Sequence, residues 1–353
     1  EFILDLYSAI SLIAAALLVV TIVDVCHNRL TDRSVTIKCI AVCFSIGLAL
    51  LCEWVCVRLN GAPSDLTGLH RAVKTAEFCI APVTGVLAAH TYSKIKKPTA
   101  IVSAIVALHA VFQIAACRSG LVLYLDEGNT YHRGRLYWIY IAVFTLSLAY
   151  CLTCVVLDEV KLQMRADAAL VATVLFLAMG LAIQALDSDL RVDYLCIAIA
   201  NLQLYNHGCR LYSRLDGLTM LLNRIRYEKD LERTKPPAVV INMDVNAFKQ
   251  VNDTCGHAAG DRYLRQIAEA VRRVYGRYGY CYRPGGDEFC VILTESLSNV
   301  EKLNENFAAA IEKLRQQDSQ TPDVSVGYAR YDGGGTLHDA IEAADAMMYR
   351  NKS

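Results

Sequence analysis

Residues 283–289 read RPGGDEF, and the apolar runs on either side of them decide the fold of the surrounding domain. Residues 280–283 (YCYR) and 288–293 (EFCVIL) read as strands, and Pro-Gly-Gly between them turns one back on the other as a hairpin. A further strand at 238–243 (AVVINM) stops at Asp244. If these strands are neighbours, Asp244 meets Asp287 and Glu288 at one sheet edge, with Gly285 and Gly286 leaving space for a phosphate or ribose near the backbone. Hard oxygen ligands of this kind suit Mg²⁺, which takes one or two carboxylates and fills its shell with phosphate oxygens and water. The plainer reading of PGGDE alone is an acidic turn.

Outward from the hairpin, helices are expected at 218–233, 246–252, 259–275, 297–316 and 337–351, and a last strand at 323–330. Pro236 and Pro237 break the chain before AVVINM. Alternation of this sort over about 140 residues implies an α/β domain layered around one sheet.

The rest of the chain is of another kind. The sequence has 353 residues with 35 basic and 35 acidic side chains, but residues 1–200 hold 30 of these 70 charges and the shorter stretch 201–353 holds 40. A balanced charge speaks against a nucleic-acid-binding surface. Of 14 cysteines, 11 lie at or before Cys209, without the spacing of a disulfide framework or zinc site, and read as small apolar packing residues; this includes the CxxC of Cys151 and Cys154.

Apolar runs near the 20 residues needed to cross a bilayer occur at 2–26, 35–57, 71–92, 99–117, 136–157, 168–187 and 190–207, giving an expected seven-span transmembrane bundle and no cleavable signal peptide. The last run is the weakest, since Asp193, Asn201, Gln203 and Asn206 interrupt it. Loop cations favour one side, with Arg29, Arg33, Lys94, Lys96, Lys97, Lys161 and Arg165 against Arg58, Arg118, Arg133, Arg135 and Arg191. By the positive-inside rule the N-terminus is outside and the C-terminal half in the cytoplasm. The expected division is a membrane sensor domain at 1–207, a helical linker at 208–215 and the soluble domain at 216–353. Ionisable residues inside the runs are costly in lipid and suggest function. Glu53, His70, Arg71, Lys74 and Glu77 are the candidate sensor pocket for an unknown small molecule, and His109, Gln113, Gln184 and Asp187 are further candidates for the bundle interior. Pairing between helices is the plainer role for all of them.

RPGGDEF resembles the signature of the GGDEF diguanylate cyclase family, and four other segments resemble its motifs in order. They are DGLTMLLNR at 216–224, MDVNAFKQVNDTCGHAAGD at 243–261, SVGYAR at 325–330 and ADAMMYRNK at 344–352. The resemblance implies a nucleotide-cyclase, palm-like α/β fold with a central, mostly antiparallel sheet. It also implies an enzyme that condenses two GTP into cyclic di-GMP and two pyrophosphates, acting as a homodimer in which each domain holds one GTP. On this reading Asp244, Asp287 and Glu288 are catalytic, and Asp244, the backbone carbonyl of Val245 and Asp287 bind metal. Phe248, Lys249, Asn252, Asp261 and Lys352 bind GTP. The cofactor is Mg²⁺, two ions per GTP, with Mn²⁺ as a substitute. The cell location would be a bacterial inner membrane, multi-pass, in contact with lipid.

Three departures stand out. Met220 replaces a glycine, Asn246 replaces the second acid of DxD, and the inhibitory product motif RxxD is missing, since Gly276 and Gly279 hold its positions. The alternatives are a silent domain that binds GTP or a partner, and a transporter with a regulatory domain.

Overall fold

The apolar runs of the first half fold as helices, the one open structure that satisfies every backbone polar group without water. In a computed structural model, which describes residues 2–28, 33–93, 99–161, 168–186, 191–295 and 297–352, the chain divides into two compact units, Glu1–Cys209 and Arg210–Ser353. Arg29, Lys94, Lys96, Lys97, Arg165 and Asp187 lie outside the described residues, as do the side chains of Lys161 and Gln184.

The first unit contains α1 (Phe2–His27), α2 (Arg33–Leu59), α3 (Thr67–Tyr92), α4 (Ala100–Ala116), α5 (Tyr137–Lys161), α6 (Ala168–Leu186) and the start of α7 (Asp193–Tyr212). A helix therefore covers each of the seven apolar runs. Among the described residues four segments are long and apolar enough to cross a membrane, Leu6–His27, Arg33–Leu59, Ser64–Tyr92 and Tyr137–Val160. The 17 residues of α4 span only about 25 Å, short of a typical hydrocarbon core, and α7 carries the polar residues noted above. Seven spans are thus an upper reading, and four carry the length and composition by themselves.

Burial has the polarity of a lipid-facing bundle. Leu12, Phe44, Ile101 and Leu108 point outward, while Ala14, Val42, Ile46, Phe78, Ala81 and Phe144 form the interior. Helix α3 packs against α2, α4 and α5. Gly85 lets α3 come close to α5, because a Cβ there would lie 2.6 Å from the Ser147 backbone carbon. Between α4 and α5 the sequence reading placed only a loop, but β1 (Leu123–Leu125) and β2 (Tyr131–Arg133) pair antiparallel as a hairpin. Asn129 at its turn has φ 58°, and its side-chain amide donates to the carbonyls of Leu59 and Ala62 while its Oδ1 lies 3.2 Å from His70 Nδ1.

The second unit contains β3 (Leu222–Asn223), α8 (Arg224–Leu231), β4 (Ala238–Val245), α9 (Phe248–Cys255), α10 (His257–Tyr275), β5 (Gly279–Gly285), β6 (Glu288–Leu293), α11 (Val300–Gln317), β7 (Val324–Tyr331) and α12 (Leu337–Arg350). Its sheet has the order β3-β5-β6-β4-β7, antiparallel except for β3 beside β5. The inner strand β4 is covered on both faces, which is why AVVINM is apolar without alternation. Val239, Ile241, Met243 and Val245 point into a core with Phe289 and Val291 of β6, Ile267 and Val271 of α10 and Phe307 and Ile311 of α11. The pleat sends Val240, Asn242 and Asp244 to the opposite face. There α12 lies, with the Asn242 amide donating to Asp345 at 2.6 Å.

The helix expected at 218–233 begins six residues later. Asp216 accepts from the Thr219 N–H at 2.9 Å and its hydroxyl at 2.6 Å, Met220 turns to φ 58°, and Leu222–Asn223 pairs with β5. Asn223 then caps α8 by accepting from the Arg226 N–H, as its side chain is suited to do.

Candidate active site

Three carboxylates come to one sheet edge through strand register. In the β4–β6 ladder Asp244 is the direct partner of Glu288, and the Val245 N–H donates to the Asp287 carbonyl at 3.2 Å. The end of β4 is thereby fixed against the turn of the β5–β6 hairpin. Gly286 occupies that turn at φ 51°, a conformation that costs glycine little. Asp244 and Asp287 are half-buried and Glu288 is exposed.

Lys352, two residues beyond α12, reaches the same edge. Its ammonium lies 2.7 Å from Asp244 Oδ1 as an ion pair, and this contact, with the charges of Asp244 and Asp287, holds the lysine above its ordinary pKa. The family resemblance implied a triphosphate contact for Lys352; in this structure it pairs with a carboxylate instead. A cation already sits against Asp244, and the donors here are hard oxygens, so the set fits a hard divalent cation. Among the described residues no group of three His, Cys, Asp or Glu side chains forms a metal site.

Arg283 supplies a link that the motif reading did not assign. Its guanidinium donates to the Gly286 carbonyl at 2.6 and 3.0 Å and to Asp216 Oδ1 at 2.9 Å, joining the hairpin turn to the loop before β3. Burial raises the Asp216 carboxyl, but the Thr219 and Arg283 hydrogen bonds outweigh it and hold the group below the usual carboxylate range. The only sequence signal for this pair was the order of the two motifs.

The α9–α10 corner lies beyond the end of β4. Ala247 enters it at φ 52°, and Gly256 at φ 82° ends α9 and begins α10. Phe248 and Lys249 open α9, with Phe248 half-buried and Lys249 exposed. Asn252 lies against Gly260 at this corner, since a Cβ there would fall 2.0 Å from Asn252 Oδ1 and 3.1 Å from the Phe248 ring, and Asp261 follows as an exposed residue of α10. His257 is the exposed first residue of α10. Asn246 does not reach the carboxylates, since its Oδ1 accepts from the Ser325 hydroxyl at 2.7 Å and its N–H donates to Asp323.

Residues 213–353 match the family described as diguanylate cyclase, GGDEF domain. This part of the chain is a GGDEF domain. The diguanylate cyclase DosC of Escherichia coli K12 is 31% identical over 159 residues, 42% of this chain and 35% of DosC. The probable diguanylate cyclase DgcJ of the same strain is 30% identical over 174 residues, 45% of this chain and 34% of DgcJ. A crystal structure of the GGDEF domain of DgcB from Caulobacter crescentus with c-di-GMP is similar at 30% identity, covering 40% of this chain and 88% of that one with a TM-score of 0.36. The chain spans about a third of the length of these two curated relatives.

Of the five candidate pocket residues in the N-terminal unit, Glu53, Lys74 and Glu77 line one cavity. His70 is buried beside Asn129, and Arg71 lines a separate groove with Thr75, Ile114 and Arg118. His109 and Gln113 are buried and bonded to each other, with His109 Nε2 also 3.3 Å from the Phe78 carbonyl.

Proposed function

We propose that this chain is a membrane-bound diguanylate cyclase of a bacterial inner membrane, joining two GTP into cyclic di-GMP under control of a signal received by its N-terminal unit. The observation that carries this reading is the register pairing of Asp244 with Glu288 beside the Asp287 turn, with Lys352 on the same edge. Four apolar helices support the membrane placement, and the loop cations favour a cytoplasmic GGDEF domain.

In the reaction the 3′-hydroxyl oxygen of one GTP forms a bond to the α-phosphorus of another. The bond from that phosphorus to the bridging oxygen breaks, pyrophosphate leaves, and the hydroxyl proton is released. Repetition with the roles exchanged closes the ring. Each domain holds one GTP, so two chains must face each other, and the gain comes from positioning and electrostatics. Asp244, the Val245 carbonyl and Asp287 would hold Mg²⁺ or Mn²⁺, which neutralises phosphate charge and acidifies the attacking hydroxyl. Lys249 and Lys352 supply compact positive charge to the triphosphate. Asn252 and Asp261 read guanine, whose N1 and N2 hydrogens a carboxylate can accept. Arg283 positions the hairpin through Gly286.

The test is incubation of the full-length protein in nanodiscs with GTP and Mg²⁺, with products separated by chromatography. Cyclic di-GMP is expected, and Asp287→Ala should lower its formation at least about 100-fold. Intact GTP binding with no product, at protein concentrations that populate a dimer, would replace the cyclase with a silent GTP-binding domain.

A further inference from the structure

The N-terminal unit encloses a cavity of about 410 Å³ bounded by α2, α3, α5, the β1–β2 hairpin and the first turn of α7. This is within the range of small-molecule sites. Three buried carboxylates reach it, Glu53, Glu77 and Asp193. Two are compensated. Glu77 accepts from the Lys74 ammonium at 2.8 and 3.0 Å, and Glu53 accepts from the Tyr7 hydroxyl at 2.8 Å with Arg191 at 3.9 Å.

Asp193 is different. It is 6% exposed, and although the Tyr194 N–H lies beside the group, its Oδ1 has no hydrogen-bond partner among the described residues. A buried carboxylate costs several kcal/mol unless an opposite charge or donor meets it. The nearby cations are engaged elsewhere, Lys74 with Glu77 and Arg191 with Glu53. The same cavity is lined by the Tyr140 and Phe144 rings and the Ile141 side chain, which supply its apolar surface. A bare metal ion would want several oxygen or nitrogen ligands, and no such cluster exists among the described residues. Partly exposed His132 and exposed Arg133 on β2 form a rim open to water.

We infer that this cavity binds a small organic ammonium ion, its charged head on Asp193 and its apolar body against Tyr140, Ile141 and Phe144. The inference names the ligand class for the sensing half of the proposed function and rests on that half alone, not on the cyclase chemistry.

The test is calorimetric titration of the full-length protein in nanodiscs, without GTP, using ethylammonium, butylammonium and benzylammonium beside benzyl alcohol and benzoate. At least one ammonium should saturate the protein, and benzylammonium should bind about tenfold or more tightly than its neutral isostere. Asp193→Asn should weaken ammonium binding about 10- to 100-fold while leaving GTP affinity unchanged. Should that variant aggregate, the comparison of cation with neutral isostere in the unaltered protein still decides. Absence of binding by all three ammonium ions, equal binding of benzyl alcohol, preference for benzoate, or saturation by calcium chloride instead would overturn the inference. Cyclic di-GMP formation without ammonium binding would sink this inference and leave the cyclase standing; ammonium binding without cyclic di-GMP would do the reverse.

Discussion

Gly260 has room for a hydrogen and little else. With Asn252 Oδ1 2.0 Å from where a Cβ would be, Gly260→Ala forces the Asn252 side chain to move, at a cost of about 1–3 kcal/mol. Because Asn252 is proposed to read guanine, the expected result is weaker GTP binding in a domain that still folds, measured by titration with a non-hydrolysable GTP analogue beside a circular dichroism melt. Unchanged GTP affinity would remove Asn252 from the base-reading role. Lys352 offers a second test at this scale. Its ammonium sits on Asp244 Oδ1, the oxygen proposed to hold a divalent cation, and is itself proposed to meet the triphosphate. Lys352→Met should therefore lower the metal concentration needed for half-maximal binding while raising KM for GTP. A variant in which both rise would mean that the lysine helps to organise Asp244 for the metal.

At the scale of elements, the contact between α12 and β7 controls where Lys352 ends up. Gly327 in β7 lies so close to the helix that a Cβ would be 2.1 Å from the Ala344 carbonyl oxygen and 2.2 Å from the Met348 nitrogen. These are backbone atoms on a helix fixed at its start by the capping box of Thr336 and Asp339, so the strain falls on the whole of α12. Gly327→Ala is expected to destabilise the GGDEF domain by about 1–3 kcal/mol and to weaken GTP binding beyond that loss, because Lys352 is displaced with the helix. Differential scanning calorimetry and GTP titration on the same variant separate the two effects. The sequence made this architecture partly legible: the apolar AVVINM run marked a strand and PGGDE marked the hairpin beside it. What it concealed was decided by tertiary contacts. Residues 218–223 have helical composition, but Thr219 and Arg283 tie down Asp216 and β5 claims Leu222 and Asn223, so propensity loses to the sheet edge. The β1–β2 hairpin was hidden for a similar reason, since Asn129 earns its left-handed conformation from distant bonds to Leu59 and Ala62.

At the scale of the whole chain, the proposed membrane placement turns on how many helices would cross the bilayer, because parity fixes which side each end occupies. Four segments qualify by length and composition, and α4, α6 and α7 are shorter or more polar. Charge patterning bears on the same question from another direction: GTP and the cyclic dinucleotide belong to the cytoplasm, so the GGDEF domain must lie there if it is an enzyme, and the loop cations agree with that side. An odd count then places the N-terminus outside. With seven spans the β1–β2 hairpin, and with it the rim formed by His132 and Arg133, faces outward. The expected outcome in a bacterial host is fluorescence from a green fluorescent protein fused after residue 353 and alkaline phosphatase activity from a fusion within the 126–129 turn. Phosphatase activity at the C-terminal end would put GTP on the wrong side of the membrane and defeat the cyclase reading. A silent phosphatase in the hairpin with a fluorescent C-terminus would instead leave an even number of crossings after the hairpin, with α5, α6 or α7 as the helix that does not span.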